Sequence, residues 1–363
     1  MDFRPSPAQQ LLISTAREFL RKRADTPPAW REIGELGWPG LLVPVELGGT
    51  GGSLLDVVLL VEEVARAAMP GPFVPSAVVA TSLLARAGTL DQQKRLLPAM
   101  AAGERVMGVA LLDDAGARHV DDLALTLDSR GRLSGRKLFV EAADVVDALI
   151  VVARSGAEIA LVLVPTNRAG VTRVPLDTIG PERTFELTFD GVAVAAEDRL
   201  LGSREGLAAA LAAGALARTA EMVGAAQRVL ELAVEHAKTR VQGGRPIGGY
   251  QAIQHACADL VRDVDAARGL LHCAAWKVDS GAPAAADVAM AKAYAGEACL
   301  NAARRGHQIF GAIGYCDEHP LHRLHKRILA ASLDYGDAAL HLETVAREIG
   351  LVYEPDRPYF RIL

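Results

Sequence analysis

The spacing of apolar and polar residues along this chain shows two different periodicities, and the changes between them divide the chain into three regions. In residues 1 to about 105, apolar residues recur at helical spacing, as in Ala8–Leu20. Helical spacing returns between residue 203 and about residue 348, where the helical pattern of Arg204–Val241 is long and almost unbroken. These two outer regions are therefore predicted to be helical.

The last region contains several predicted helices rather than one. The helical pattern of the long segment Arg204–Val241 is interrupted after it by Gly243-Gly244-Arg245-Pro246. Further helices are predicted over roughly 249–280, 284–310 and 320–350. Long helices joined by short loops favour an antiparallel four-helix bundle.

Between about 106 and 202 the pattern changes to short apolar, β-branched runs separated by turn residues. Ser129-Arg130-Gly131-Arg132 is typical of a hairpin turn. Strands this closely spaced leave no room for crossover helices, so we expect an antiparallel sheet or barrel. The predicted strands are Leu123–Leu127, Lys137–Val140, Ala148–Ala153, Ile159–Pro165, Val171–Val174 and Phe185–Phe189.

The predicted fold class is therefore α+β. It comprises an N-terminal helical domain (1–105), a middle β-domain (106–202) and a C-terminal helical bundle (203–363). Half of the 363 residues are hydrophobic, which is enough for a sizeable core, whereas aromatic residues make up only 5%. The 34 glycines and many alanines suit helices that pack closely through small residues.

Charge and cysteine content narrow the functional classes. Acidic residues outnumber basic ones by 44 to 39, so the clustered basic excess of a nucleic-acid surface is missing. The four cysteines are scattered without a CxxC pair, as in a protein with reduced thiols. The longest apolar run, Leu207–Leu216, is too short to span a bilayer, and Met1–Pro7 does not resemble a signal peptide. We therefore expect a soluble cytoplasmic protein with no membrane insertion.

Three segments carry a specific family resemblance. Thr239–His255 reads TRVQGGRPIGGYQAIQH and closely resembles the acyl-CoA dehydrogenase pattern R-x-Q-F-G-R-P-I-G-x-F-Q-A-I-Q-H. Gln308–Tyr315 reads QIFGAIGY and resembles that family's Q-x-F-G-G-x-G-Y. Leu36-Gly37-Trp38 and Pro44–Gly49 resemble its L-G-W…P-E-x-Y-G-G. The resemblance spans essentially the whole chain and implies the acyl-CoA dehydrogenase fold.

The resemblance also implies an FAD-dependent oxidoreductase that acts on acyl-CoA thioesters. In this family a carboxylate removes the α-proton of the thioester, and the β-hydrogen leaves as hydride for the flavin. The resemblance further implies that one subunit contacts the FAD of a neighbour through one arginine near the pyrophosphate and several further residues. In this chain the matching residues are Arg240, Gln242, Tyr250, Gln251, Gln308 and Gly311.

Two segments of the β-domain depart from the family pattern. The usual T-E-P…G-S-D, which holds the flavin ring, is replaced by Leu111–Ala117, reading LLDDAGA. A buried flavin edge is therefore expected to meet carboxylates there. The usual W-I-T/S is replaced by Leu138–Glu141, reading LFVE.

The family's catalytic glutamate is also missing from both of its known positions. Tyr335 stands at the first position, within Asp334-Tyr335-Gly336-Asp337, and a tyrosine with an ordinary pKa near 10 is a poor base. Gly214 stands at the second position, near the start of the long helix.

Two carboxylates are candidate replacements for the missing base. Glu221 lies about two helical turns beyond Gly214 on the same face, in an apolar stretch that would raise its pKa. The alternative is that Glu221 forms an ion pair with Arg218 or Arg228. Asp334 is adjacent to the family position but points in a different direction on a helix.

One hypothesis accounts for both the matches and the departures. Residues that reach a neighbour's FAD are kept, whereas those that hold the chain's own FAD and act on it are lost. The chain then resembles one subunit of the bacterial heterotetrameric acyl-CoA dehydrogenases, many of which act on large CoA thioesters such as steroid side chains. A homologous partner subunit, an acyl-CoA substrate and an electron-transfer flavoprotein are the implied partners.

Two other functions stay open at this point. The chain could be a self-sufficient homo-oligomeric enzyme with a relocated base, or a binding protein that kept the fold and lost the cofactor.

Three histidines at every third position also need an interpretation. His319, His322 and His325 could indicate a metal site, but no fourth ligand is evident and Pro320 marks a helix start. We therefore interpret this run as the beginning of a helix with no metal, and Lys326 and Arg327 as surface charges on it.

Overall fold

The computed structural model describes residues 4–23, 28–113, 123–201, 204–352 and 361–362. Within these ranges the chain forms ten α-helices. They are α1 (Pro7–Lys22), α2 (Trp30–Glu35), α3 (Leu54–Arg66), α4 (Thr81–Ala87), α5 (Leu90–Ala101), α6 (Arg204–Thr239), α7 (Gln251–Asp279), α8 (Ala285–Phe310), α9 (Leu321–Leu333) and α10 (Ala338–Glu348).

The same ranges contain eleven strands. They are β1 (Met107–Ala110), β2 (Thr126–Leu127), β3 (Arg132–Glu141), β4 (Ala148–Ser155), β5 (Glu158–Pro165), β6 (Val171–Leu176), β7 (Thr184–Ala193), β8 (Val241–Gln242), β9 (Arg245–Pro246), β10 (Leu351–Val352) and β11 (Arg361–Ile362). The predicted order of helices, strands and helices is thus confirmed.

The chain divides into two compact units. The helical unit takes its described residues from 1–26, 54–69 and 215–363, and the β-unit takes them from 27–53 and 70–214. The boundary after residue 214 falls inside α6, so this one helix contributes to both units.

The sheet of the β-unit is mixed. Its strands follow the order β1-β4-β2-β3-β7-β6, and β5 pairs with β4. Most pairs are antiparallel, but β4 runs parallel to both β1 and β2, so the prediction of a purely antiparallel sheet is wrong. Strand β2 runs parallel to β4 and antiparallel to β3, so the chain reverses direction at the β2–β3 hairpin and again before β4.

Backbone conformation explains the tight β2–β3 hairpin. The carboxylate of Asp128 accepts hydrogen bonds from the backbone N–H groups of Arg130 (2.9 Å) and Arg132 (2.8 Å). Gly131 adopts a φ of 73°, a conformation that favours glycine. The hairpin turn predicted at Ser129–Arg132 is therefore confirmed.

Small residues set the spacing of helices in the helical unit. A Cβ atom added to Gly224 on α6 would lie 2.1 Å from the backbone oxygen of Glu62 on α3. A Cβ atom on Gly306 of α8 would lie 2.5 Å from the Val229 side chain on α6. Helices therefore approach one another at positions that only glycine fits, as the composition predicted.

Helix α6 is also long and apolar enough to cross a membrane by length and composition alone. However, 72% of its most apolar 18-residue window is buried inside the protein, which is the behaviour of a core helix.

The C-terminal helix predicted over 320–350 is two helices. Helix α9 ends at Leu333 and α10 begins at Ala338, and the junction between them contains Tyr335 at φ 54° and Gly336 at φ 100°. The side chain of Asp337 caps α10 by accepting a hydrogen bond from the N–H of Leu340 (2.8 Å). Asp334 therefore lies at the C-terminal end of α9, and the expectation that it lies within one continuous helix is wrong.

Candidate functional site

The residues that match the family's FAD contacts lie at helix ends of the helical unit. Arg240 follows the last residue of α6 and leads into the β8–β9 hairpin, which turns at Gly243 and Gly244 with φ values of 60° and 79°. The hydroxyl of Tyr250 donates a hydrogen bond to the backbone oxygen of Gln242 (3.0 Å), which fixes the hairpin against the start of α7. The side chains of Arg240 and Gln242 are exposed.

An arginine that was not predicted stabilises the same hairpin. The guanidinium of Arg245 lies 4.1 Å from the centroid of the Tyr250 ring, within the range of a cation–π contact. Gln251 is the first residue of α7 and is exposed. The motif around 240–251 is therefore a hairpin and helix start that present polar side chains outward.

The other two predicted contacts lie at the end of α8. Gln308 is exposed on its last turn, and Gly311 follows the helix at φ 65° and ψ −142°, a conformation almost restricted to glycine. A Cβ atom added to Gly311 would have no neighbour within 4 Å, so the space beside this backbone is open.

The two groups of contacts are connected. The ring of His236, on the last turns of α6, lies 4.4 Å from the ring of Phe310, which directly precedes Gly311. The structure thus brings the ends of α6 and α8 together.

Gly311 provides a stability test of this geometry. We expect Gly311→Ala to destabilise the chain by about 1–3 kcal/mol, because alanine would be strained at this positive φ. The matched control is Gly269→Ala in the middle of α7, where a Cβ atom would meet nothing within 4 Å. This change should stabilise the helix by roughly 0.5–1 kcal/mol. Urea unfolding of both variants checks the prediction, and equal stability of Gly311→Ala and the wild type would contradict it.

Glu221, the first candidate base, is enclosed by two arginines. Arg218 Nη1 donates to one carboxylate oxygen of Glu221 (2.6 Å), and Arg327 Nη1 donates to the other (3.2 Å). The Arg327 side chain also donates to the backbone oxygen of Met69 (2.9 Å). Glu221 is 5% exposed and Arg327 is 3% exposed, so the interpretation of Arg327 as a surface charge is wrong.

The charges of this cluster decide the pKa of Glu221. Burial raises the pKa of this carboxyl, but the two guanidiniums of Arg218 and Arg327 outweigh burial and hold it below its usual value. The expectation of a raised pKa is therefore wrong, and the alternative, an ion pair with Arg218, is present. A carboxylate with both oxygens bound and a lowered pKa is a poor acceptor for a substrate proton.

Asp334, the second candidate, belongs to the same cluster. One of its carboxylate oxygens accepts a hydrogen bond from Arg218 Nε (2.7 Å), and the other accepts one from the N–H of Tyr335 (3.0 Å). The guanidinium of Arg218 lies 6.0 Å from the centroid of the Tyr335 ring. Arg218 therefore links Glu221 on α6 with the α9–α10 junction, where the family places its glutamate.

A buried lysine that was not identified from the sequence also binds the α9–α10 junction. Lys292 on α8 is 1% exposed and donates to the backbone oxygens of Ser332 (2.9 Å) and Gly336 (2.8 Å). Burial lowers its pKa to about 8. The only sequence signal is a lone lysine in the uncharged, alanine-rich stretch Val288–Gly296.

The lowered pKa of Lys292 predicts in which direction the stability of the chain changes with pH. Between pH 8 and 10.5 the unfolded chain keeps the proton that the native amine has lost, so stability rises with pH. We expect wild type to gain roughly 3 kcal/mol over this range relative to Lys292→Met. Urea unfolding at pH 7.5, 9 and 10.5 measures the difference, and parallel pH curves for the two proteins would contradict the prediction.

The three histidines after Cys316 lie at the start of α9. Among the described residues, no group of three or more potential ligand side chains is placed to hold a metal ion. His319 Nδ1 accepts a hydrogen bond from the N–H of Leu321 (3.3 Å), the first residue of α9, and its ring lies 4.3 Å from that of Phe310. The run is a helix beginning, as interpreted from the sequence.

The described β-unit residues at the family's flavin-ring position are engaged in contacts with one another. Asp113 pairs with the fully buried Lys137 and also accepts a hydrogen bond from the N–H of Leu125 (2.7 Å). Lys137 Nζ donates to the backbone oxygen of Leu111 (2.7 Å), and the N–H of Leu138 donates to that of Leu112 (2.7 Å).

These contacts correct one expectation. The carboxylate of Asp113 is turned inward to Lys137, so it does not face outward to meet a flavin edge. Burial lowers the pKa of Lys137 to about 8, although Asp113 opposes the shift. The hydroxyl groups that the family uses are missing from 111–113, and residues 114–117 lie outside the described part of the chain.

Comparisons with known proteins agree with this architecture. Residues 6–104 match the family model "Acyl-CoA dehydrogenase, N-terminal domain", and residues 205–350 match "Acyl-CoA dehydrogenase, C-terminal domain". The chain is 30% identical over 359 residues to benzylmalonyl-CoA dehydrogenase of Aromatoleum aromaticum, covering 94% of this chain and 93% of that protein.

Two solved structures are similar over nearly their full length. Butyryl-CoA dehydrogenase from Megasphaera elsdenii is 26% identical with a TM-score of 0.89, covering 96% of this chain and 99% of that one. A chain of the ChsE4-ChsE5 complex from Mycobacterium tuberculosis is 28% identical with a TM-score of 0.88, covering 98% of this chain and 100% of that one.

The chain therefore belongs to the acyl-CoA dehydrogenase family and has its fold. This is a family of flavoprotein oxidoreductases whose cofactor is FAD. The exposed residues on the helical unit fit contacts to FAD, because an arginine and an open glycine backbone are what a phosphate-bearing ligand needs. When bound, FAD supplies the hydride acceptor that no side chain can provide.

Proposed function

We propose that this chain is one subunit of a heteromeric acyl-CoA dehydrogenase and that its helical unit completes the FAD site of a homologous partner chain. The observation that carries the proposal is the contrast between two groups of residues. The FAD-contact residues Arg240 and Gln308, at the ends of α6 and α8, are exposed and able to reach another chain. Glu221 is bound on both oxygens by buried arginines, and Tyr335 stands where the family has its glutamate.

Each contact residue has a stated role in the proposed site. Arg240 pairs with phosphate oxygens through its planar guanidinium. Gln242, Tyr250 and Gln251 present polar groups from the hairpin and the start of α7, and Tyr250 also fixes the hairpin. Gln308 and Gly311 approach the cofactor from the end of α8.

The partner chain supplies the catalytic carboxylate and the groups that hold the flavin ring in this proposal. The complex would oxidise an acyl-CoA thioester, of the bulky kind represented by steroid side chains, and pass electrons to an electron-transfer flavoprotein. We place this reaction in the cytoplasm. One structural neighbour is itself a complex of two named chains, ChsE4 and ChsE5, which supports the heteromeric arrangement.

The test is expression of this chain alone and together with the product of its neighbouring gene. Flavin absorbance and native mass are measured for both preparations. The proposal expects little flavin in the lone chain, and flavin together with a four-chain mass in the co-expressed sample. A lone chain that is yellow and reduced by acyl-CoA would favour a self-sufficient enzyme. Absence of flavin in both samples would favour a binding protein.

A further inference from the structure

Four histidines form a cluster with two aromatic residues beneath the end of α8. We call His236, His307, His319 and His325 the imidazole cluster. Their ring centroids lie close to the aromatic rings, with His236–Phe310 at 4.4 Å, Phe310–His319 at 4.3 Å and His307–Tyr315 at 4.5 Å. The rings of His307 and His325 are 5.0 Å apart. The cluster therefore joins α6, α8, the α8–α9 connection and α9.

The segment next to this cluster is mostly exposed. Gly311–Tyr315 is a single 3₁₀ turn in which only Gly314 is buried, whereas Ile313 and Tyr315 are 53% and 72% exposed. Phe310, which directly precedes this turn, and Tyr315, its last residue, are both packed against imidazole rings. Gln308 lies on the last turn of α8, whereas the position of Gly311–Tyr315 depends in part on ring packing by the imidazole cluster.

The charges around the cluster are mostly positive. Burial lowers the pKa of all four histidines, and for His307 it outweighs an interaction with the backbone of Gly314 that raises the pKa. The charge of Arg240 on α6 lowers the pKa of His236 further, and that of Arg304 on α8 does so for His325. The charge of His322, on α9, also lowers the pKa of His307 and of His319.

Carboxylates do not offset these charges. The nearest described acid–histidine pair in this region joins Asp317 to His322 at 3.9 Å, outside the four-membered cluster. Within the described ranges, no carboxylate oxygen lies within 4.0 Å of the four clustered imidazoles. Protonation of the cluster would therefore place several positive charges side by side without a counter-ion.

We infer that the imidazole cluster positions the Gln308–Tyr315 segment for its cofactor contact and releases this segment when the imidazoles become protonated. The contact itself rests on the function proposed above, whereas the ring packing does not. The folded chain lowers the pKa of these histidines below the value of about 6.5 in the unfolded chain, so the unfolded chain takes up protons first as the pH falls. The ring packing of the imidazole cluster is therefore intact above pH 6.5 and is lost as the pH falls below it.

Hydrogen exchange of the lone chain tests the positioning role without a partner. We expect amides of 308–319, corrected for intrinsic rates, to exchange at least roughly tenfold faster at pH 5.5 than at pH 7.5, while sheet amides of the β-unit keep their protection. His236→Gln combined with His319→Gln should reduce this pH dependence, because two of the titrating groups are gone. His255→Gln, an exposed histidine outside the cluster on α7, should leave it unchanged.

Flavin retention in the co-expressed complex gives the second measurement. The inference predicts flavin bound at pH 7.5 and released by pH 5.5 in the wild type, with a weaker pH dependence in the double variant. Equal exchange of the segment at both pH values, or identical pH profiles of wild type and double variant, would overturn it. A complex with no flavin at pH 7.5 would instead count against the proposed function, and the exchange result of the lone chain would still decide the inference.

Discussion

Glu221→Gln is expected to destabilise the chain by about 3–5 kcal/mol. The substitution removes the negative charge between Arg218 and Arg327, both of which are buried, and leaves two guanidiniums facing a neutral amide. The attraction of this buried carboxylate to both guanidiniums then no longer offsets the cost of burying their charges. Urea unfolding at pH 7 measures the change.

The control for this prediction is an exposed ion pair on another helix. Glu18→Gln removes the partner of Lys22 on α1, where both side chains are more than half exposed, and should leave stability unchanged. The relocated-base hypothesis expects a different outcome for Glu221→Gln, namely lost activity with nearly unchanged stability. That result would contradict the assignment of Glu221 to a structural ion-pair cluster.

Arg240→Gln is expected to weaken flavin retention by the co-expressed complex roughly 10- to 100-fold. This is the effect of losing one charge-assisted hydrogen bond to a phosphate group. Because the Arg240 side chain is exposed in this chain, the substitution should leave the unfolding of the lone chain unchanged. Equilibrium dialysis against FAD measures the retention.

Lys326→Gln is the matched control for Arg240→Gln. Lys326 is an exposed cation on α9, so its loss changes the net charge equally without touching a proposed contact. Flavin retention by Arg240→Gln equal to that of Lys326→Gln would show that Arg240 does not contact the cofactor.

Long elements could be predicted from the sequence because their periodicity repeats many times. The predicted helices over 249–280 and 284–310 correspond to α7 (Gln251–Asp279) and α8 (Ala285–Phe310). Strand β1 (Met107–Ala110) was missed, because four residues are too few to show a period. The parallel pairing of β1 with β4 joins strands about 40 residues apart, and no local pattern encodes it.

The cluster around Glu221 could be predicted only in part. The pair with Arg218 lies three residues away on the same helix, so helical spacing suggested it. Arg327 is 106 residues from Glu221, and the helical pattern of α9 does not show that Arg327 turns inward while its neighbour Lys326 stays exposed. The break at Tyr335 and Gly336 depends on positive φ angles, which the sequence signalled only through one glycine.

The roles of the motif residues stay predictions, and the side chains that stabilise their surroundings were not identified from the sequence. The resemblance named Arg240 and Gln308 because family motifs preserve backbone geometry and ligand contacts. It gave no account of Arg245, which stacks on Tyr250, or of Lys292, which binds the α9–α10 junction. Such side chains act through partners that are distant in sequence, and only the folded structure identifies those partners.

The central claim is that this chain completes a partner's FAD site and holds no flavin of its own. The most direct measurement is the ratio of flavin to each chain in the purified co-expressed complex, from absorbance and quantified chain masses. The claim predicts one flavin for each pair of one copy of this chain and one partner chain, with none retained by this chain alone. One flavin for every chain, or flavin bound by this chain without a partner, would contradict it.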